Sequence, residues 1–269
     1  MANDAVKGGG IVRWRRCGWY PLLSAHLAPR NQGFPPGSAQ PTGRPLDHSA
    51  LSVTLPDSGS KNGDEPQPTT PDGRPDHSAS GTMILMQILP KAFYDRDAEC
   101  VARDLLGKLV VRLVVRRRQI GRIVETEAYL GPHDLAAHSA RGRTTRTEVM
   151  FGPPGHAYVY LIYGMHHCLN VVTGPGDHAS AVLLRALEPV SNIDTSASGP
   201  GRLCRALDID RRLNGHDLTT GELVLAEPAD LAGHFEIEAR PRVGVDYSGE
   251  WAHKPLRFCI AGNRFLSRT

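Results

Sequence analysis

The sequence predicts an α+β fold: a single compact domain around a curved, largely antiparallel sheet with flanking helices, preceded by a disordered tail. Three observations carry this expectation. Strand-like runs outnumber helical ones and follow one another in hairpin-like succession rather than strict βαβ alternation. Apolar residues make up 40% of the 269, enough for a core. The 52 residues from 31 to 82 hold nine Pro and seven Gly with few aromatics, a composition that buries too little apolar surface to offset the entropy of ordering. The tail is therefore assigned to residues 1–85 and the domain to 86–269.

Within the domain, Tyr94–Gly107 reads as a helix: Asp95 or Asp97 can cap it, Val101/Leu105 and Ala102/Leu106 repeat at i,i+4, and Gly107 ends it. Leu109–Val115 and Gln119–Tyr129 read as paired strands joined by a basic turn, Arg116–Arg118. A strand break at Leu130-Gly131-Pro132 leads into a short helical phrase, Asp134–Ala137. Tyr158–Tyr163, Leu169–Val172 and Ser180–Leu187 are further strands, the last two flanking a Gly-Pro-Gly-Asp turn at 174–177. Arg202–Leu207 suggests a short helix and Leu256–Ile260 a final strand.

Composition narrows the function classes. Net charge is +3, with 23 Lys/Arg against 21 Asp/Glu from Met83 onward, so any phosphate-binding face must be local. The apolar run Trp19 to Leu23 is too short for a signal-peptide core or a membrane span. Five cysteines without a CxxC pair argue for a reducing compartment and against a disulfide framework or zinc site. The expectation is a protein that is not secreted, cytoplasmic in a bacterium (with the nucleoid) or nuclear in a eukaryote.

Chemistry concentrates in three segments. In 124–139, VETEAYLGPHDLAAHS, strand alternation puts Glu125, Glu127 and Tyr129 on one side, and the break after them delivers His138 nearby. An edge strand with a solvated acidic face is the plain alternative. In 156–172, HAYVYLIYGMHHCLNVV, Tyr158, Tyr160 and Ile162 share a face, while Tyr163 at the strand end can project as a wedge between base pairs. In 180–189, SAVLLRALEP, Arg185 stands alone among apolar residues and needs an acidic partner, either a plain ion pair or Glu127 across the sheet. Arg141, Arg143 and Arg146 lie in a Gly/Thr-rich loop that could grip phosphates or be merely solvated.

These blocks, with GPGRLCRAL and RVGVDYSGEWAHKPLRF, closely resemble the alkyladenine (3-methyladenine) DNA glycosylase family over about Ile88 to Ile260. The resemblance implies a monofunctional enzyme that flips a damaged purine out of double-stranded DNA and hydrolyses its N-glycosidic bond, as a monomer, with no cofactor, metal or membrane. It implies that Glu127 is general base on the attacking water, held also by Arg185 and the backbone carbonyl of Val243. The flipped base is expected between Tyr129 on one face and His138 with Tyr160 on the other, with Asn170 opposing the 2-amino group of guanine and Leu183 lining the pocket. Tyr163, with Met165 beside it, is expected to intercalate. His138 is the nearest candidate to assist departure of a neutral base, and Glu125 is expected to be structural. One departure is clear: where the family carries a longer basic helix and loop, this chain has only Val190–Ser198. Two rival readings are an inactive damage-binding module, which would need neither Glu127 nor Arg185, and a metal hydrolase using His133, His138, His166 and His167, which lack HxH or HExxH spacing.

Overall fold

The computed structural model describes residues 50–54, 83–229 and 234–268. Among the described residues, ten strands and three short α-helices succeed one another in the order β1 (Ala50–Thr54), β2 (Met83–Ile88), α1 (Lys91–Tyr94), α2 (Ala98–Asp104), β3 (Leu109–Val114), β4 (Arg117–Tyr129), β5 (Ala157–Ile162), β6 (His166–Thr173), β7 (Ser180–Ser191), α3 (Pro200–Ala206), β8 (Leu223–Pro228), β9 (Ile237–Arg240) and β10 (Arg257–Ile260). They form one curled sheet ordered β1-β2-β8-β3-β4-β7-β6-β5, with β10 joining the end of β4 to β9. Every strand pair among the described residues is antiparallel. This is the α+β architecture the sequence predicts. The expectation of disorder for the tail falls mostly outside the described residues; within it, β1 pairs with β2, which begins at Met83, three residues before the expected boundary.

Local physics explains where elements begin. The expected helix from Tyr94 is two pieces, because the Asp97 side chain accepts from Glu99 N–H at 2.9 Å and Cys100 N–H at 3.2 Å and starts α2 there. Tyr94 closes α1 and is buried. Helix α2 packs Val101, Ala102 and Leu105 into the core beside Ile123, Val124 and Leu184, and the Thr126 hydroxyl donates to Ala102 O at 2.8 Å. The chain then turns at Gly107, where φ is +84° and a Cβ would stand 2.9 Å from the Phe235 ring, so glycine is required. The β3–β4 turn is Val115-Arg116, both at positive φ, and Arg117 and Arg118 already belong to β4. Strands β8 and β9 were not anticipated.

The plain alternative for β4 fails. It is not an edge: β3 and β7 flank it, β10 covers its far end, and Glu125, Thr126 and Glu127 are fully buried. One irregularity in the β4–β7 ladder matters more than its regular part. Glu125 pairs with Ala186 and Thr126 with Leu184, so Arg185 is an extra residue on β7. A bulge of this kind re-aims a side chain, and here it turns the guanidinium toward both carboxylates.

Candidate active site

Two carboxylates two residues apart on β4 meet very different partners. Glu125 Oε1 accepts from Arg185 Nε at 3.0 Å, Arg257 Nη1 at 3.0 Å and the Ser267 hydroxyl at 2.8 Å, and its Oε2 from Ser267 N–H at 2.6 Å. Burial works to raise this carboxyl, but the Ser267 N–H, Arg185, the Ser267 hydroxyl and Arg257 together hold it below its ordinary range. With four protein donors on it, two of them from arginines, Glu125 is an anchor for Arg185.

Glu127 is held instead by three residues that line a cavity, Tyr129, Arg185 and Val243. Its Oε1 accepts from Val243 N–H at 2.8 Å and lies 3.2 Å from Arg185 Nη1; its Oε2 accepts from the Tyr129 hydroxyl at 3.0 Å. Burial, then the Glu127 carboxylate, push the Tyr129 phenol well up, so that hydroxyl stays a donor. A carboxylate oxygen accommodates about two hydrogen bonds, which leaves Oε2 with one free acceptor position. The Val243 contact runs through its N–H, whereas the group expected from the resemblance is its carbonyl.

The cavity, about 600 Å³, is lined by Tyr129, His138, Tyr158, Tyr160, Asn170 and Leu183 among others, with Arg185 and Val243 beside Glu127. Its aromatic walls come from separate elements: Tyr129 ends β4, Tyr158 and Tyr160 lie on one face of β5, and His138 opens a 3-10 turn over 138–141. That turn starts at His138 rather than ending before it, correcting the expected helical phrase 134–137. His138 stacks edge-on against Tyr160 with ring centroids 4.5 Å apart, and its Nδ1 is 2.9 Å from the Tyr158 hydroxyl. Burial, then Arg146 and Arg141, push the imidazole down to about 4. It is therefore neutral near pH 7, and delivery of a proton from an imidazolium at that pH, the acid role considered for it, does not fit. A hydrogen bond from the neutral ring does. Asn170 turns its amide N–H to Tyr158 O at 3.0 Å.

A buried ion pair couples the walls. Arg242 donates to Asp134 Oδ2 at 2.5 Å, Asp134 Oδ1 at 2.9 Å and Ala128 O at 2.9 Å, and its guanidinium lies 4.8 Å from the Tyr129 ring centroid. Asp134 in turn accepts from Leu130 and Ala136 N–H. So the residue before Val243 is tied to the loop leading to His138. Sequence reasoning missed Arg242, Asp134, Tyr158, Arg257 and Ser267; a lone Arg preceding the VGV of 243–245 was the available signal for the first.

The rim carries the remaining candidates. Tyr163 and Gly164, both at positive φ, open the three-residue turn 163–165 between β5 and β6, which lifts the Tyr163 ring to 84% exposure. Met165 is exposed beside it and borders a smaller hollow with His166 and His167. The arginines divide: Arg143 is engaged by Glu148 at 3.0 Å and Asp177 at 2.5 Å, while Arg141 and Arg146 line the cavity mouth. Among the described residues no group of three or more His, Cys, Asp or Glu is placed to hold a metal, and no helix is long and apolar enough to cross a membrane.

A buried carboxylate and guanidinium adjoin this aromatic-lined cavity. Comparison with known proteins supplies the class. Residues 92–264 match the family model described as methylpurine-DNA glycosylase. A Legionella pneumophila (strain Corby) protein named "Putative 3-methyladenine DNA glycosylase" is 53% identical over 184 residues, covering 68% of this chain and 100% of that protein. Proteins of the same name from Myxococcus xanthus (strain DK1622) and Anaeromyxobacter sp. (strain Fw109-5) are 51% and 54% identical, covering 95% and 92% of their lengths and 68% and 67% of this chain. The chain belongs to the methylpurine-DNA glycosylase family: it is a DNA glycosylase, a DNA-repair hydrolase of N-glycosyl bonds.

Proposed function

We propose that this protein extrudes alkylated or deaminated purines (the 3-methyladenine, hypoxanthine and ethenoadenine class) from duplex DNA and hydrolyses their N-glycosidic bonds without cutting the strand, acting as a monomer. The observation that carries this is Glu127: a fully buried carboxylate bonded to three residues that line the aromatic-walled cavity, Tyr129, Arg185 and Val243, with Oε1 doubly engaged and Oε2 holding one free acceptor position. That position receives the attacking water, whose proton passes to Glu127 as its oxygen bonds C1′ and the C1′–N bond breaks. Positive charge developing on the sugar is stabilised by the same carboxylate. Arg185, pinned by Glu125, and the Val243 backbone fix Glu127 and the water.

Extrusion costs a few kcal/mol of unstacking. Tyr163, with Met165 beside it, offsets part of this by filling the gap, and its turn presents the ring to solvent for that purpose. The extruded ring enters between Tyr129 and the His138–Tyr160 wall, over Leu183, with Asn170 excluding guanine. A cationic base departs neutral and needs no added proton. A neutral one accepts a hydrogen bond from His138. Arg141 and Arg146 hold phosphates at the mouth, while Arg143 is already engaged by two carboxylates. No lysine lines the cavity, so hydrolysis rather than Schiff-base cleavage is the route. The test is incubation with duplexes carrying hypoxanthine, 1,N6-ethenoadenine or 3-methyladenine in the presence of a chelator. Release of free base with strand breakage only after alkali supports the proposal; no release from any lesion, or nicking without alkali, refutes it.

A further inference from the structure

Eight large hydrophobic side chains are exposed among the described residues, and three of them, Leu135, Tyr163 and Tyr247, line the mouth of one cavity. Tyr163 is accounted for as the wedge. Leu135 and Tyr247, 59% and 67% exposed, are not, since neither is needed to hold the base or to steer Glu127. We infer that they form a second apolar contact with DNA, gripping the duplex beside the flipped nucleotide from a part of the rim separate from the Tyr163 turn. This deepens the proposed function and rests on it.

Neither side chain is exposed because its backbone is loose. Leu135 sits between Asp134 and Ala136, both buried, and the Ala136 N–H is bound to Asp134 Oδ1 at 3.0 Å. Tyr247 sits beside buried Ser248, whose hydroxyl donates to Val245 O at 2.6 Å. The Tyr247 hydroxyl then donates to Ala136 O at 3.2 Å, joining the two loops through the residue after Leu135. Two apolar groups fixed outward at a cavity rim are a pre-organised contact rather than scattered surface. Charge identifies what they meet. Arg141 and Arg146 open onto the same mouth, and neither meets a carboxylate among the described residues, Arg146 resting 5.1 Å from the Tyr160 ring centroid, so the rim combines apolar prongs with cations whose charge is not neutralised, the pairing that fits sugar faces between phosphates.

The experiment measures affinity by fluorescence anisotropy for a duplex bearing a tetrahydrofuran abasic analogue, alongside excision of hypoxanthine by the wild type. The double variant L135S/Y247S is expected to bind about tenfold more weakly, the scale of leaving two half-covered apolar side chains without a partner. Y247F keeps the ring and loses its tether, and should lose less. V115S, which changes an exposed side chain in the β3–β4 turn, should bind as the wild type does. Wild-type affinity in L135S/Y247S overturns the inference, as does a wild-type dimer that this variant dissociates with no change in DNA affinity. If the wild type excises hypoxanthine while L135S/Y247S binds normally, this inference alone falls. If the wild type neither binds nor excises, the functional reading falls with it.

Discussion

Glu125→Gln separates the two buried carboxylates of β4. In the folded protein Glu125 receives Arg185, Arg257 and both donors of Ser267 within 3.0 Å, the two arginines at positions with almost no solvent access and Ser267 partly buried. A glutamine keeps one acceptor oxygen and turns an N–H₂ toward donors, leaving Arg257 without its carboxylate and Arg185 with Glu127 alone. Breaking one partner of a buried ion pair costs about 3–5 kcal/mol. For a domain of this size each kcal/mol shifts the melting temperature by about 2–4 °C, so the expected loss is about 6–20 °C. The assay is thermal unfolding followed by circular dichroism, with single-turnover excision measured well below the lowered midpoint. There E125Q should keep activity within about tenfold of wild type, the cost of a less firmly held Arg185. A melting temperature unchanged by E125Q, or activity abolished in the folded variant, would refute the division into anchor and base.

Acid should destabilise the protein in two stages. His138 titrates at about 4 folded against 6.5 ordinarily, so the unfolded chain binds more protons between those values and stability falls as pH drops through that window. Glu125, held below its ordinary 4.5, adds a second loss below that pH. H138Q should therefore flatten the stability curve between pH 6.5 and 4 and leave the steeper fall beneath 4.5, as read by urea unfolding at stepped pH. Arg146→Ala should weaken duplex binding and lower the slope of log affinity against log salt by about 0.9, the effect of one lost phosphate contact, whereas Arg143→Ala should change the slope less. Tyr163→Ala should keep the wild-type melting temperature while binding lesion duplex more weakly; normal excision at limiting enzyme would remove the wedge.

Much of this was legible in the sequence because it is local. Alternation along 124–129 placed Glu125, Glu127 and Tyr129 together, and an arginine in an apolar run required an acid. What was hidden is non-local or depends on backbone irregularity. The bulge that aims Arg185 at both carboxylates has no residue signature, and Ser267 reaches Glu125 across 142 positions of sequence. Asp134 only opens the expected helical phrase 134–137; its bond to Arg242, 108 residues on, ties two cavity walls together. Strands β8 and β9 escaped notice because β8 pairs with β2 and β3, and β9 with β10, partners far from them in sequence or following a loop. Polarity along such segments carries little of that information.

The central claim is that the Glu127 carboxylate activates water, and its most direct test is single-turnover excision of hypoxanthine from a duplex by wild type and E127Q. Glutamine keeps the shape and can still accept the Val243 N–H, but it cannot take the water's proton. The account predicts a loss of at least about 100-fold in rate with lesion-duplex affinity retained. Excision by E127Q at the wild-type rate would contradict it.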